Sequence, residues 1–198
     1  MTRRYELLAC SFAVCLVATQ VAIKPRPGGT SARAATDFAR RMREWRSRVA
    51  PAVDLTLRDG STFRLADQIG RRVVILNFFT TWSDACVREL PDLQRYVQRL
   101  QDEGKPVVAV AIDGQERSQL VDRFSEMLNL TLPTGIDESG TVARAYEVGG
   151  FPTTVVIGAD GRVLLYQLDE ITNPEVAFDA TLGREFGVLE RAGRMRAR

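Results

Sequence analysis

At 198 residues, 45% of them apolar and 26% charged, the chain has the length and composition of one packed domain with extensions. Its 27 basic and 25 acidic residues leave a net charge of +2, without the clustered cationic excess that phosphate-backbone binding needs, so nucleic acid is not an expected partner. Histidine is absent, which removes Ser-His and Cys-His catalysis and His-ligated zinc together, and neither a metal nor a cofactor is expected.

The chain opens with Arg3 and Arg4, and Leu7 to Ile23 then runs 17 residues without a charge. We read residues 1–23 as a signal-anchor forming an N-terminal transmembrane helix, in preference to a cleaved signal peptide. The small-residue cleavage sites at Val17-Ala18-Thr19 and Ala32-Arg33-Ala34 are poor, and Leu7-Leu8-Ala9-Cys10 lacks the apolar run of a lipoprotein box. Arg3 and Arg4 on one flank and Lys24, Arg26 and Arg33 on the other give opposite signals for orientation.

Residues 24–50 read as a linker followed by a basic helix. Lys24 to Ser31 is rich in proline and glycine. From Thr36 or Asp37 to about Val49, the residues Phe38, Met42, Trp45 and Val49 fall on one helical face, with arginines on the others. A helix docked on its own domain is preferred here to one lying on anionic lipid.

The domain proper is expected over 51–190, with a basic tail at 191–198. Val53 to Leu57 and Thr62 to Leu65 read as strands joined across Asp59-Gly60. Val73 to Phe79 is an apolar run of buried-strand length, and Pro106 to Ile112 is a second. Between them a helix is expected from Asp84 to Asp102, capped by Ser83 and kinked at Pro91. Helices follow over about Glu116 to Leu128 and Gly140 to Tyr146, the latter ended by Gly149-Gly150. Thr153 to Ile157 and Val163 to Leu168 form a hairpin, and Asn173-Pro174 starts a last helix. Strands alternating with helices and then a closing hairpin give an α/β fold with a central mixed sheet flanked by helices. Asp113, Asp137 and Glu138 match no metal loop and are expected to be exposed.

Two stretches carry a resemblance. Asn77, Phe78, Thr81, Trp82, Cys86, Glu89 and Pro91 stand where membrane-anchored bacterial thioredoxins of the TlpA/ResA-like group have V-N-F-W-A-T-W-C-x-x-C-x-x-E-x-P. Val148-Gly149-Gly150-Phe151-Pro152-Thr153-Thr154 resembles their V-x-G-x-P-T-T. The likeness extends over about Val53 to Leu168. It implies a thioredoxin-like fold outside the cytoplasm, held by a single-pass anchor, and a cis proline at Pro152 facing the active-site thiols. It further implies that Phe151, Pro152 and Thr153 line a substrate groove, which Trp82 either flanks or leaves for buried packing, and that the partner is a thiol- or disulfide-bearing protein or a small thiol. One residue departs: Ser83 occupies the place of the family's attacking cysteine.

Disulfide exchange needs a thiolate to attack and a second thiol to resolve the mixed disulfide. Ser83 can do neither, and of the three cysteines Cys10 and Cys15 lie in the N-terminal apolar segment. Cys86 therefore stands alone, with three readings open. It is a small buried hydrophobe in a redox-inactive binding module. Or it is the reactive group of a single-thiol oxidoreductase, polarised by Ser83. Or Ser83-Asp84-Ala85-Cys86 is the end of a peroxiredoxin-type P-x-x-x-T/S-x-x-C, with Cys86 as the peroxidatic thiol, although Phe79 replaces its proline. For Asn77 the expected role is a buried amide bonded to backbone.

Overall fold

The computed structural model describes residue 40 and residues 42–196 other than 115. In chain order it contains β1 (Asp54–Thr56), β2 (Thr62–Arg64), β3 (Val73–Phe79), α1 (Asp84–Asp102), β4 (Val107–Asp113) and α2 (Ser118–Met127). Then come β5 (Thr134–Gly135), α3 (Thr141–Ala145), β6 (Thr153–Ile157), β7 (Val163–Leu168) and α4 (Pro174–Arg196). The proposed anchor at 1–23 and the linker at 24–31 lie outside the described residues. Among the described residues no helix is long and apolar enough to cross a membrane.

Strand β3 is central because every one of its seven residues is buried, so neither face can be left to solvent. The sheet order is β5-β4-β3-β6-β7. β3 runs parallel to β4, from Val73 opposite Val107 to Phe79 opposite Asp113. It runs antiparallel to β6, from Val74 opposite Ile157 to Phe78 opposite Thr153. Side chains alternate along it. Val73, Ile75 and Phe79 join Cys86, Leu90, Leu93 and Phe178 of α1 and α4 in one apolar layer. Val74, Leu76 and Phe78 join Trp45, Leu55, Phe63 and Tyr146 on the other face. This is the thioredoxin-like α/β arrangement, a mixed sheet flanked by helices.

The edges are managed locally. The β1–β2 hairpin turns where Gly60 takes φ 82 and Asp59 Oδ1 accepts from Ser61 N, and it continues the sheet beyond β5. There Arg58 N donates to Thr134 O and Ile136 N to Thr56 O. The start of α4 follows its expected signal: Val176 N donates to Asn173 Oδ1 at 3.1 Å, with Pro174 at the first helical position. α1 runs through Pro91 as one helix from Asp84 to Asp102.

The basic helix expected up to Val49 stops short. Residues 42–45 are helical, Ser47 takes φ 66, and Val49 bridges antiparallel to Arg162. Val49 is 68% exposed and leaves the apolar face on which the periodicity placed it. The cause is competition for the backbone: Ser47 N donates to Val163 O, and Val163 N to Arg48 O. Trp45 does dock. It stacks on Tyr146 and Tyr166 with ring centroids 5.7 and 5.3 Å away, under the Arg48 guanidinium. The turn after α3 also differs: Glu147, at φ 53, ends that helix, ahead of the two glycines.

Candidate functional site

The site forms where β3 ends, because β4 leaves the sheet beside it and β6 enters on its other side. Residues Thr80 to Ser83 follow β3, Gly114 and Glu116 follow β4, and Phe151 and Pro152 precede β6. Ser83 caps α1: its backbone is extended (φ −91°, ψ 114°), and its hydroxyl oxygen accepts from Cys86 N at 3.4 Å. The S-x-x-C spacing thereby puts hydroxyl and thiol on one helical turn.

Cys86 has 0% of its surface exposed and Ser83 only 9%. Burial is the main influence on the thiol and pushes its pKa up. Hydrogen bonding from the Ser83 hydroxyl and the Thr80 backbone N–H opposes it, while the Glu89 and Glu116 carboxylates add to it. A helix N-terminus ordinarily favours a thiolate. Here desolvation prevails.

Trp82 projects outward, 74% exposed, and meets the half-buried Phe151 edge to face, with centroids 6.5 Å apart and an interplanar angle of 86°. The Phe151–Pro152 peptide is cis, as the resemblance implied. Pro152 and Thr153 are buried, and the Thr153 hydroxyl donates to Gly150 O at 2.7 Å, so that side chain is engaged within its own loop. Among the described residues neither the N–H nor the C=O of Phe151 takes a backbone hydrogen bond. The structure thus gathers Trp82, Ser83, Cys86, Phe151 and Pro152 in one place, with the aromatics outside and the thiol beneath.

A buried polar cluster lies behind the thiol. Asn77 Nδ2 donates to Glu89 Oε1 at 2.6 Å and to Thr154 Oγ1 at 2.9 Å. Glu89 also accepts from Thr154 Oγ1 at 3.0 Å and, through Oε2, from Ile171 N at 2.6 Å. The partners of Asn77 are therefore side chains, not the backbone groups expected, because its place in the strand alternation turns it toward α1. Glu89 is 2% exposed, and burial raises its pKa against those three hydrogen bonds.

Other contributors were not legible in the sequence. Glu116 accepts from Thr81 N at 3.1 and 3.2 Å and so braces the turn into α1. Asp113 and Asp137, expected at the surface, are buried. Asp113 accepts from the backbone N–H of Glu116 and Asp137, and Asp137 from those of Val142 and Ala143. These carboxylates fold loops. Gly114 matters for space: a Cβ there would lie 2.7 Å from both Phe151 Cζ and Thr80 Cγ2. Gly114→Ala is expected to cost about 1–3 kcal/mol, measured by urea unfolding, by forcing the Phe151 ring off its seat. The parallel pairing of β3 with β4 is the signal that would have brought Asp113 and Gly114 to the site.

Comparison with known proteins shows the family. Residues 47–165 match the AhpC/TSA family. The thiol-disulfide oxidoreductase ResA of Oceanobacillus iheyensis is 38% identical over 105 residues, which are 53% of this chain and 53% of that protein. The ResA of Geobacillus thermodenitrificans is 37% identical over 114 residues, 58% of this chain and 64% of that one. The match thus spans less than two thirds of either relative's length. In three dimensions a thiol:disulfide interchange protein of the thioredoxin family from Chlorobium tepidum TLS superposes with a TM-score of 0.58. It shares 24% identity, with 71% of this chain and 97% of that one covered, a likeness of fold. The chain thus belongs to the AhpC/TSA family and has ResA-type relatives.

Proposed function

We propose that this thioredoxin-fold chain is a redox-inactive binding module, which holds an extended segment of a partner protein in the groove at Pro152, against the touching rings of Trp82 and Phe151. The observation that carries the reading is the complete burial of Cys86 beneath a serine-capped helix start, next to an exposed tryptophan. A dithiol cycle needs an accessible attacking thiolate, and the position that would supply it holds Ser83. The groove needs no thiol. An extended segment can hydrogen-bond to the Phe151 backbone and rest an apolar side chain on the two rings. The membrane anchor at 1–23 and a position outside the cytoplasm belong to the same proposal and rest on sequence.

The test is the rate at which Cys86 reacts with a small aromatic disulfide between pH 5 and 9. It uses the full chain with Cys10→Ser and Cys15→Ser, native and in denaturant. The native rate is expected to be at least about 100-fold below the unfolded one, because reaction must wait for local opening. A native rate at or above the unfolded one, persisting below pH 7, would return the single-thiol oxidoreductase to first place, with peroxide the next substrate to try.

A further inference from the structure

We infer that the segment held in this groove carries a lysine or arginine beside its apolar anchor, an inference that rests on the groove reading above and adds the partner's chemistry. The apolar step is formed by Trp82 and Phe151. Three carboxylates belong to segments that adjoin it. Asp84 is exposed in the first turn of α1. Glu116 is fixed on Thr81 N, one residue before Trp82, and is close enough to Cys86 to raise that thiol's pKa. Asp169 is exposed, and its own N–H is bonded to Pro152 O at 3.1 Å.

The nearby cations offset them only in part. Arg88 is closed on Glu170 by contacts of 2.9 and 2.6 Å, and the exposed Arg117, at the head of α2, sets a single charge against the three carboxylates. An apolar surface with a carboxylate rim attracts a cationic side chain and repels an acidic one, since each carboxylate keeps its hydration only while no anion is pressed against it. The long stem of lysine or arginine can also lie along the indole while its head reaches the rim. Such a rim selects by sign of charge.

A random heptapeptide display library, panned on the immobilised full chain at low salt, tests this. Three proteins are compared: wild type, Trp82→Ala, and the combined Asp84→Asn, Glu116→Gln and Asp169→Asn variant. Each amide keeps the shape and an acceptor oxygen of the residue that it replaces. The wild-type pool is expected to gain lysine and arginine about threefold or more over the input, next to an apolar residue. That bias should fade near 0.3 M salt and vanish in the triple-amide variant. A wild-type pool that is selected above the Trp82→Ala background without basic residues would overturn the charge inference and leave the groove standing. A pool no richer than the Trp82→Ala background would overturn both.

Discussion

Replacing Ser83 by cysteine is expected to convert the chain into a working dithiol reductase. The position is already a helix N-cap one turn from Cys86, and its side-chain oxygen lies 3.4 Å from the Cys86 backbone nitrogen. A thiolate there would be stabilised by the helix N-terminus, whereas Cys86 is held protonated by burial. The new thiolate would attack a substrate disulfide and release one thiol. Cys86, losing its proton, would then displace the second and close an internal disulfide, which an added dithiol reductant reopens. With Cys10 and Cys15 replaced by serine, turnover of a protein disulfide should rise at least about 100-fold over the parent chain. A folded variant that never closes the internal disulfide would show that the two positions are not juxtaposed as the fold requires.

The second large effect is expected at Glu89. Truncation to alanine removes the acceptor of Asn77, Thr154 and Ile171 N at once and strands three buried donors. A loss of about 3–5 kcal/mol in urea unfolding is expected. Glu89→Gln should behave differently. Among the described residues Asn77 Oδ1 has no partner, so a half-turn of that amide gives the new Nε2 an acceptor, at the loss of the Asn77 Nδ2 bond to Thr154, while the glutamine oxygen keeps Ile171 N. What this variant loses besides is the charge. The folded pKa of Glu89 is raised by desolvation, with Glu170 contributing. The unfolded carboxyl binds its proton less tightly, so the group's contribution is fully present below about pH 4 and is lost as pH rises through the folded value. Wild type should therefore gain stability relative to Glu89→Gln on acidification from pH 8 to pH 5. A parallel pair of stability curves would rule out that ionisation.

The parts of this molecule that were legible in its sequence are those with local causes. The burial of β3 follows from an unbroken apolar run, and the start of α4 from an asparagine cap before a proline. Ser83, Cys86, Trp82 and Pro152 lie in two short motifs, so they could be placed together before their distances were known. What escaped was set by distant partners. The early end of the basic helix depends on hydrogen bonds between residues 47–50 and β7, more than a hundred positions away. β5, of two residues, exists only because β4 and the hairpin lie on either side of it. Asp113 and Asp137 look like surface carboxylates until the loop N–H groups that they satisfy are brought to them.

The pairing of Phe78 with Thr153 has a consequence for recognition. The two rings that meet at the proposed docking face come from neighbouring strands, Trp82 just after β3 and Phe151 just before β6. Their separation is set by the central ladder of the sheet, the part of the fold slowest to open. A partner would thus meet a receptor already in shape, and little of the binding free energy would be lost to ordering the protein. Discrimination between partners would fall on the Trp82 indole and the side chains of the rim, while the strands beneath the two rings keep their places.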